Sequence, residues 1–182
     1  FPQHVELFIT NRAGINIAAT NLTSDYYQAD EDWWQVAYED GLYIGQPVYD
    51  ESTETIAIPM AAAIYDEATG ELVGILRATV DFEALSESLI AGRFGQTGQT
   101  DIYLPTGQEL SLEKLEDGSF ELELEEAGLD TNLLDQSTAS YMEIDHEGIL
   151  GLASLSKVYV TGDTDDDTEV INKLDWRVVT IQ

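Results

Sequence analysis

Apolar and polar positions alternate in short runs along most of this chain, the period of half-buried strands. Residues 5–10 (VELFIT) and 15–20 (INIAAT) flank the turn Asn11-Arg12-Ala13-Gly14, which predicts a hairpin. Ser24 or Asp25 is placed to cap a helix whose body begins at Trp33-Trp34 and which Gly41 ends. Tyr43-Ile44-Gly45 leads into an extended Pro47-Val48-Tyr49-Asp50. Residues 54–65 (ETIAIPMAAAIY) and 72–82 (LVGILRATVDF) are long apolar runs joined by a polar turn, the pattern of two central antiparallel strands. Pro59 has no N–H to donate, so it must sit at a bulge or an unpaired position. A short helix is expected from Glu83 to Ile90, broken by Ala91-Gly92-Arg93-Phe94-Gly95.

A second unit then opens in the same way. Asp101-Ile102-Tyr103-Leu104 is strand-like, Pro105-Thr106-Gly107 a turn, and Glu109-Leu110-Ser111-Leu112 the returning arm. Residues 113–138 are acidic and weakly patterned, compatible with a helix and loops. Residues 148–160 and 174–181 read as the last two strands, with a solvated acidic loop over Gly162 to Glu169 between them. The fold class expected is α+β: two units, residues 1–92 and 93–182, each an antiparallel sheet with flanking helices.

Composition changes this picture in one respect. Of the 182 residues, 43% are hydrophobic, enough for a buried core, yet 36 acids against seven Lys and Arg leave a net charge of −29. Such a surface repels nucleic acid, whose binding needs Lys and Arg to displace counterions, and it disfavours anionic lipid. The acids run from Glu6 to Asp175 rather than forming one tail, which points to adaptation to a high-salt habitat. With no cysteine, disulfides and thiolate metal sites are excluded. No signal peptide or membrane-spanning run is visible, and the abrupt ends suggest a piece of a longer protein.

No catalytic constellation stands out, and no cofactor or metal site is expected. His146 lies between two acids in an expected surface turn, without a nucleophile to serve. The acidic run from Asp163 lacks the glycine and ligand spacing of a calcium loop. Hydrolysis by Asp or Glu is motivated only by the abundance of acids. The stretch DYYQADEDWW (residues 25–34) is more informative, since it sets tyrosines and tryptophans beside four acids. Trp34, Tyr38 and Tyr43 are expected to be half-core residues under the helix. Flat aromatic walls with polar edges suit a small-ligand pocket, and the acids would attract an ammonium group, helped by cation–π contact.

DYYQADEDWWQVAYEDG, then IGQPVYD, IAIPMAAAIYDEATGELVGILRATVDFEAL and GRFGQTGQTDIYLPTG, in that order and spacing, resemble the double Cache family. These are extracytoplasmic sensor domains of prokaryotic transmembrane receptors, histidine kinases or methyl-accepting chemotaxis proteins. The resemblance is strong over residues 5–107 and weak beyond. It implies two stacked PAS-like lobes after a long N-terminal helix that is absent from this chain, with membrane helices on either side and possible homodimerisation through that helix. It also implies a small-molecule ligand in the distal lobe, residues 1–92, whose binding is signalled across the membrane. Carried over from the amino-acid-sensing branch, the ligand residues fall on Tyr26, Trp33, Tyr49 and Asp81, the last holding the ligand ammonium. The position of the family's carboxylate-gripping Arg falls on Glu31, and that of an Asp near Val36. These departures point to an amine, a quaternary ammonium compound or a neutral polar solute rather than a plain amino acid. Arg77 is the one cation near this region, and its strand position does not say which face it takes. The alternative is a ligand-free structural or dimerising module.

Overall fold

The computed structural model describes residues 4–23, 25–50, 55–95, 97–129, 141–146, 149–159 and 166–182. The chain divides into two compact units, Phe1–Phe82 with Asp163–Ile171, and Glu83–Gly162 with Asn172–Gln182. The fold class is α+β, as the alternation predicts: each unit is built on a six-stranded antiparallel sheet.

The first sheet contains β1 (His4–Asn11), β2 (Asn16–Ala19), β3 (Leu42–Ile44), β4 (Val48–Asp50), β5 (Thr55–Tyr65) and β6 (Leu72–Asp81). Its order is β2-β1-β6-β5-β3, with β4 also on β5, so the two long apolar runs are central strands. Strand β3 pairs with residues 60–62 of β5 and β4 with residues 55–57. Pro59 therefore falls in the gap between the two short strands. Its carbonyl there accepts the Gly45 N–H at 2.8 Å, and its missing donor breaks no ladder bond on that side.

Helix α1 (Asp32–Asp40) starts later than the sequence suggests. Glu31 is its N-cap residue with no side-chain bond to the helix, and Gly41, at φ 87°, closes it with its N–H on the Ala37 carbonyl. Asp25 instead builds a local turn, its carboxylate accepting the Tyr27 N–H at 3.2 Å, which is the competing use of a short acid. Ser24 lies outside the described residues. The helix buries Trp33, Trp34 and Ala37 against Phe8, Ala61 and Ile75 of the sheet. The Trp34 indole N–H donates to the buried Thr10 hydroxyl at 2.9 Å. Trp34→Phe removes that donor and part of the packing, and should cost about 1–3 kcal/mol in chemical denaturation. An unchanged midpoint would show that this bond contributes nothing net. Tyr43 packs at the edge of this cluster as expected, whereas Tyr38 is half exposed and covers the outer face of Trp34 at 5.0 Å.

The second sheet contains β7 (Gln99–Tyr103), β8 (Gln108–Lys114), β9 (Phe120–Glu126), β10 (Met142–His146), β11 (Ile149–Lys157) and β12 (Arg177–Ile181), in the order β10-β11-β12-β7-β8-β9. Helix α2 (Ala84–Gly92) packs on β7 and β8. Three sequence expectations give way here. Residues 120–126 (FELELEE) form a strand, because Phe120, Leu122 and Leu124 alternate with glutamates that mask the pattern; Asp117-Gly118 makes the hairpin turn before it. His146 ends a strand and pairs with Ile149 instead of sitting in an open turn. Part of the expected acidic loop is helix α3 (Asp166–Lys173), where Lys173 in the last turn suits the helix dipole. Among the described residues, no helix is long and apolar enough to cross a membrane.

Candidate functional site

The register of the first sheet assigns faces. Ile75, Arg77, Thr79 and Asp81 of β6 share one face, because alternate residues of a strand point the same way. Across β1 they meet Thr10, Phe8 and Glu6, and across β5 they meet Ala63, Ala61, Pro59 and Ala57. Helix α1 covers this face, and Trp33 meets Phe8 edge to face with ring centroids 5.8 Å apart.

Arg77 stands in the middle of it. Its guanidinium carbon lies 5.5 Å from the Phe8 ring centroid and 4.8 Å from that of Trp33. Its Nε is buried and has no hydrogen-bond partner, and the indole Nε1 of Trp33 is in the same condition. Burial pulls the Arg77 guanidinium down from its ordinary value, while the negative field of Glu6, Tyr43, Glu31 and Asp50 pushes it back up. Glu6, Glu31 and Asp50 thus act on the cation through their field. The site is a half-buried cation packed against two aromatic rings, beside an unmatched indole donor and in the field of three acids.

The five residues predicted for the site are only partly gathered here. Trp33 is 7% exposed and central, and Asp81 lies on the same sheet face, two alternate positions beyond Arg77. Glu31 precedes α1, with its carboxylate in solvent but acting on Arg77. Tyr26 is 65% exposed in the loop before α1, where its carbonyl accepts the Asn16 N–H. Tyr49 pairs with Ile56 and so takes the face opposite to Ala57 and Asp81, with 56% of its surface exposed. The sequence reading left the face of Arg77 open and did not single out Glu6 or Phe8. A signal for Arg77 was present: it stands four residues before Asp81 in an unbroken strand, which puts both on one face. Phe8 and Glu6 carried no such signal, because only the β1–β6 register brings them there.

A second buried polar group sits in the other unit. Asp101 of β7 is fully buried, with one carboxylate oxygen accepting from Gln99 at 3.2 Å and the other without a partner. Glu109 of β8 is buried as well and accepts the Gly128 N–H, while Glu125 of β9 accepts the Ser111 hydroxyl at 2.8 Å. Burial, reinforced by Glu109 and Glu125, raises the Asp101 carboxyl to about 7, against the lowering effect of the Gln99 bond and of Arg93. Tyr103 stands opposite Glu109, and burial together with that neighbour pushes its hydroxyl above the ordinary tyrosine value.

Residues 4–87 match the family model for the first PDC sensor domain of methyl-accepting chemotaxis protein-like receptors. The comparison with curated proteins found no match. Among solved structures, the chain is similar to the ligand-binding domain of the Pseudomonas aeruginosa PAO1 amino acid chemoreceptor PctC in complex with GABA. That similarity has a TM-score of 0.66 and 13% identity, over 99% of this chain and 74% of the other. The ligand-binding domain of the Pseudomonas fluorescens chemoreceptor CtaA with L-alanine gives 0.58 and 13%, over 98% and 72%. That of PctB from Pseudomonas aeruginosa PAO1 with L-Arg gives 0.58 and 15%, over 98% and 70%. The two-sheet fold of this chain is therefore that of chemoreceptor ligand-binding domains.

Proposed function

We propose that this chain is the extracytoplasmic, small-molecule-sensing domain of a membrane signal-transduction receptor of the chemoreceptor kind. Its ligand binds between α1 and the first sheet. The observation that carries this reading is the pair of buried donors without partners, Arg77 Nε and Trp33 Nε1, on the sheet face that α1 covers. A protein rarely leaves a buried N–H unsatisfied unless something else occupies it. The match of residues 4–87 to a chemoreceptor sensor model supports the same placement, as do neighbours whose structures hold GABA, L-alanine and L-Arg.

On this reading Trp33 forms a wall of the site, and Asp81 and Glu31 favour a positively charged group on the ligand. Tyr26 and Tyr49 can serve only if their loop and edge strand reorient on binding. Histidine-kinase coupling, membrane helices on either side and pairing of two copies stay within the proposal as features of the whole receptor.

A thermal-shift screen of amino acids, amines, betaines, sugars and organic acids tests the reading. A true ligand at a hundredfold excess over its Kd should add about 2.7 kcal/mol of stability. Asp81→Ala should keep the fold and lose the shift with amine-bearing compounds. A shift unchanged in that variant would remove Asp81 from the site. The absence of any shift across the panel would favour the ligand-free dimerising module.

A further inference from the structure

We propose that the second unit has a binding site of its own, for a primary ammonium group, built by Asp101, Tyr103, Glu109 and Glu125. It is distinct from the site proposed in the first unit and does not rest on it. Tyr103 pairs with Glu109 and Glu109 with Glu125, while Asp101 stands one alternate position from Tyr103 and opposite Val179, so all five share one face of the sheet. Ala127 and Leu129 pack against the cluster that Tyr103 and Val179 join on that face. Helix α2 lies on the other face, where the Thr100 hydroxyl donates to the Gly92 carbonyl at 2.9 Å. Each of the three acids is fixed by one oxygen: Asp101 accepts from Gln99 at 3.2 Å, Glu109 from the Gly128 N–H at 3.2 Å and Glu125 from the Ser111 hydroxyl at 2.8 Å. Two polar atoms are left over. Asp101 exposes none of its surface and Tyr103 only 2%, yet Asp101 Oδ2 and the Tyr103 hydroxyl have no hydrogen-bond partner among the described residues. Buried polar atoms in native proteins are nearly always matched, so this pair calls for a partner from outside the chain.

Charge decides what that partner is. Glu109, Glu125 and Arg93 act on Asp101 through their field, and Glu123 shares the face of β9 with Glu125. Arg93 gives its Nε to the Gly98 carbonyl at 2.9 Å and lies over the Phe120 ring. Arg177 of β12, opposite Tyr103, reaches Asp175 at 3.3 Å. The local balance is negative, so an anion is repelled and a neutral group leaves the buried charge uncompensated. Among the described residues, no three acids are placed to close on a metal ion. A primary ammonium brings the missing charge and three N–H donors, enough for Asp101 Oδ2, a glutamate oxygen and the Tyr103 hydroxyl.

Isothermal titration of the folded domain with methylammonium chloride, at pH 6 and pH 8 and against potassium and tetramethylammonium chlorides at equal ionic strength, tests this. Methylammonium should bind roughly tenfold more tightly than either control, since neither offers an N–H. Its affinity should rise about tenfold from pH 6 to pH 8, because the Asp101 carboxyl, raised to about 7, must give up its proton to the solvent before the cation is seated. Asp101→Asn should weaken binding at pH 8 by roughly tenfold or more and abolish the pH dependence. Tyr103→Phe should weaken it by about 2–10-fold, the worth of one hydrogen bond. Equal affinity of wild type and Asp101→Asn overturns the site, as does the absence of any binding. Equal affinity for methylammonium and potassium, or tighter binding of magnesium, overturns the ammonium as its ligand. Binding lost in Asp81→Ala but kept in Asp101→Asn would belong to the first unit and overturn the assignment to the second. The response of the domain to other ligands in the wider screen is read independently of all these outcomes.

Discussion

Asp101→Asn should make the second unit more stable at pH 8 and remove most of its loss of stability between pH 4 and 7. Asp101 is fully buried with one oxygen unmatched, and Glu109 and Glu125 face it from the neighbouring strands while Arg93 gives partial relief. Its carboxyl is raised to about 7 in the folded chain from an ordinary value of 3.8. The folded state therefore holds the proton more tightly than the unfolded state. Stability from this group is fully present below pH 3.8, declines as pH rises through the interval, and is lost above about 7. A difference of this size corresponds to something on the order of 4 kcal/mol across the window. Asparagine fills nearly the same volume and cannot ionise, so the variant should show a flattened curve. Denaturant unfolding at pH 5, 6, 7 and 8 in constant salt measures it. General repulsion among the acids also weakens as pH falls, but it is shared by both proteins and cancels in their difference. Parallel pH curves for the two proteins would show that Asp101 does not carry the dependence.

Gly14→Ala should destabilise the first unit by roughly 3 kcal/mol or more, about 6–12 °C in Tm for a chain of this size. Two costs combine. Gly14 has φ 79°, a left-handed conformation that costs an L side chain about 1–2 kcal/mol. A Cβ there would also collide with the Cβ of Ala29 and stand 2.6 Å from its backbone nitrogen, and backbone cannot swing aside. The contact is part of how the loop before α1 is held, since Gly14 accepts the Gln28 N–H at 2.8 Å and Ala29 packs against the Trp33–Trp34 cluster. The variant should therefore lose ligand response along with stability. Gly70→Ala is the control. Its φ is 70°, but nothing lies within 4 Å of its added Cβ, so it should cost only the conformational part. Equal losses in the two variants would show that the approach of the turn to Ala29 is not what makes Gly14 necessary.

Local pattern was enough to find most strands and the glycine turns. The strand-like run at 5–10, the long apolar runs at 54–65 and 72–82 and the turns at Gly14 and Gly107 depend on neighbours in sequence, and they became β1, β5, β6 and two hairpins. It failed where acids hid the alternation, at Phe120–Glu126, and where acids at a helix start looked like a solvated loop, at Asp166–Lys173. The candidate site was legible as a neighbourhood, because Trp33 and the acids around it lie within a few residues of one another.

What the sequence determined by itself was two antiparallel α+β units, a strongly acidic surface, and an aromatic and acidic stretch suited to a small ligand. What only the tertiary structure decided was which side chains meet. Phe8, Trp33 and Arg77 come from β1, α1 and β6, and a one-residue slip of β1 against β6 would send Phe8 to the other face. Other pairings, β4 on β5 and β7 to β9 in the second sheet, send Tyr49 away from Asp81 and put the carboxylates of Asp101, Glu109 and Glu125 on successive strands. Pairing register is set by the packing of whole faces and by the turns between distant strands, so no local stretch records it.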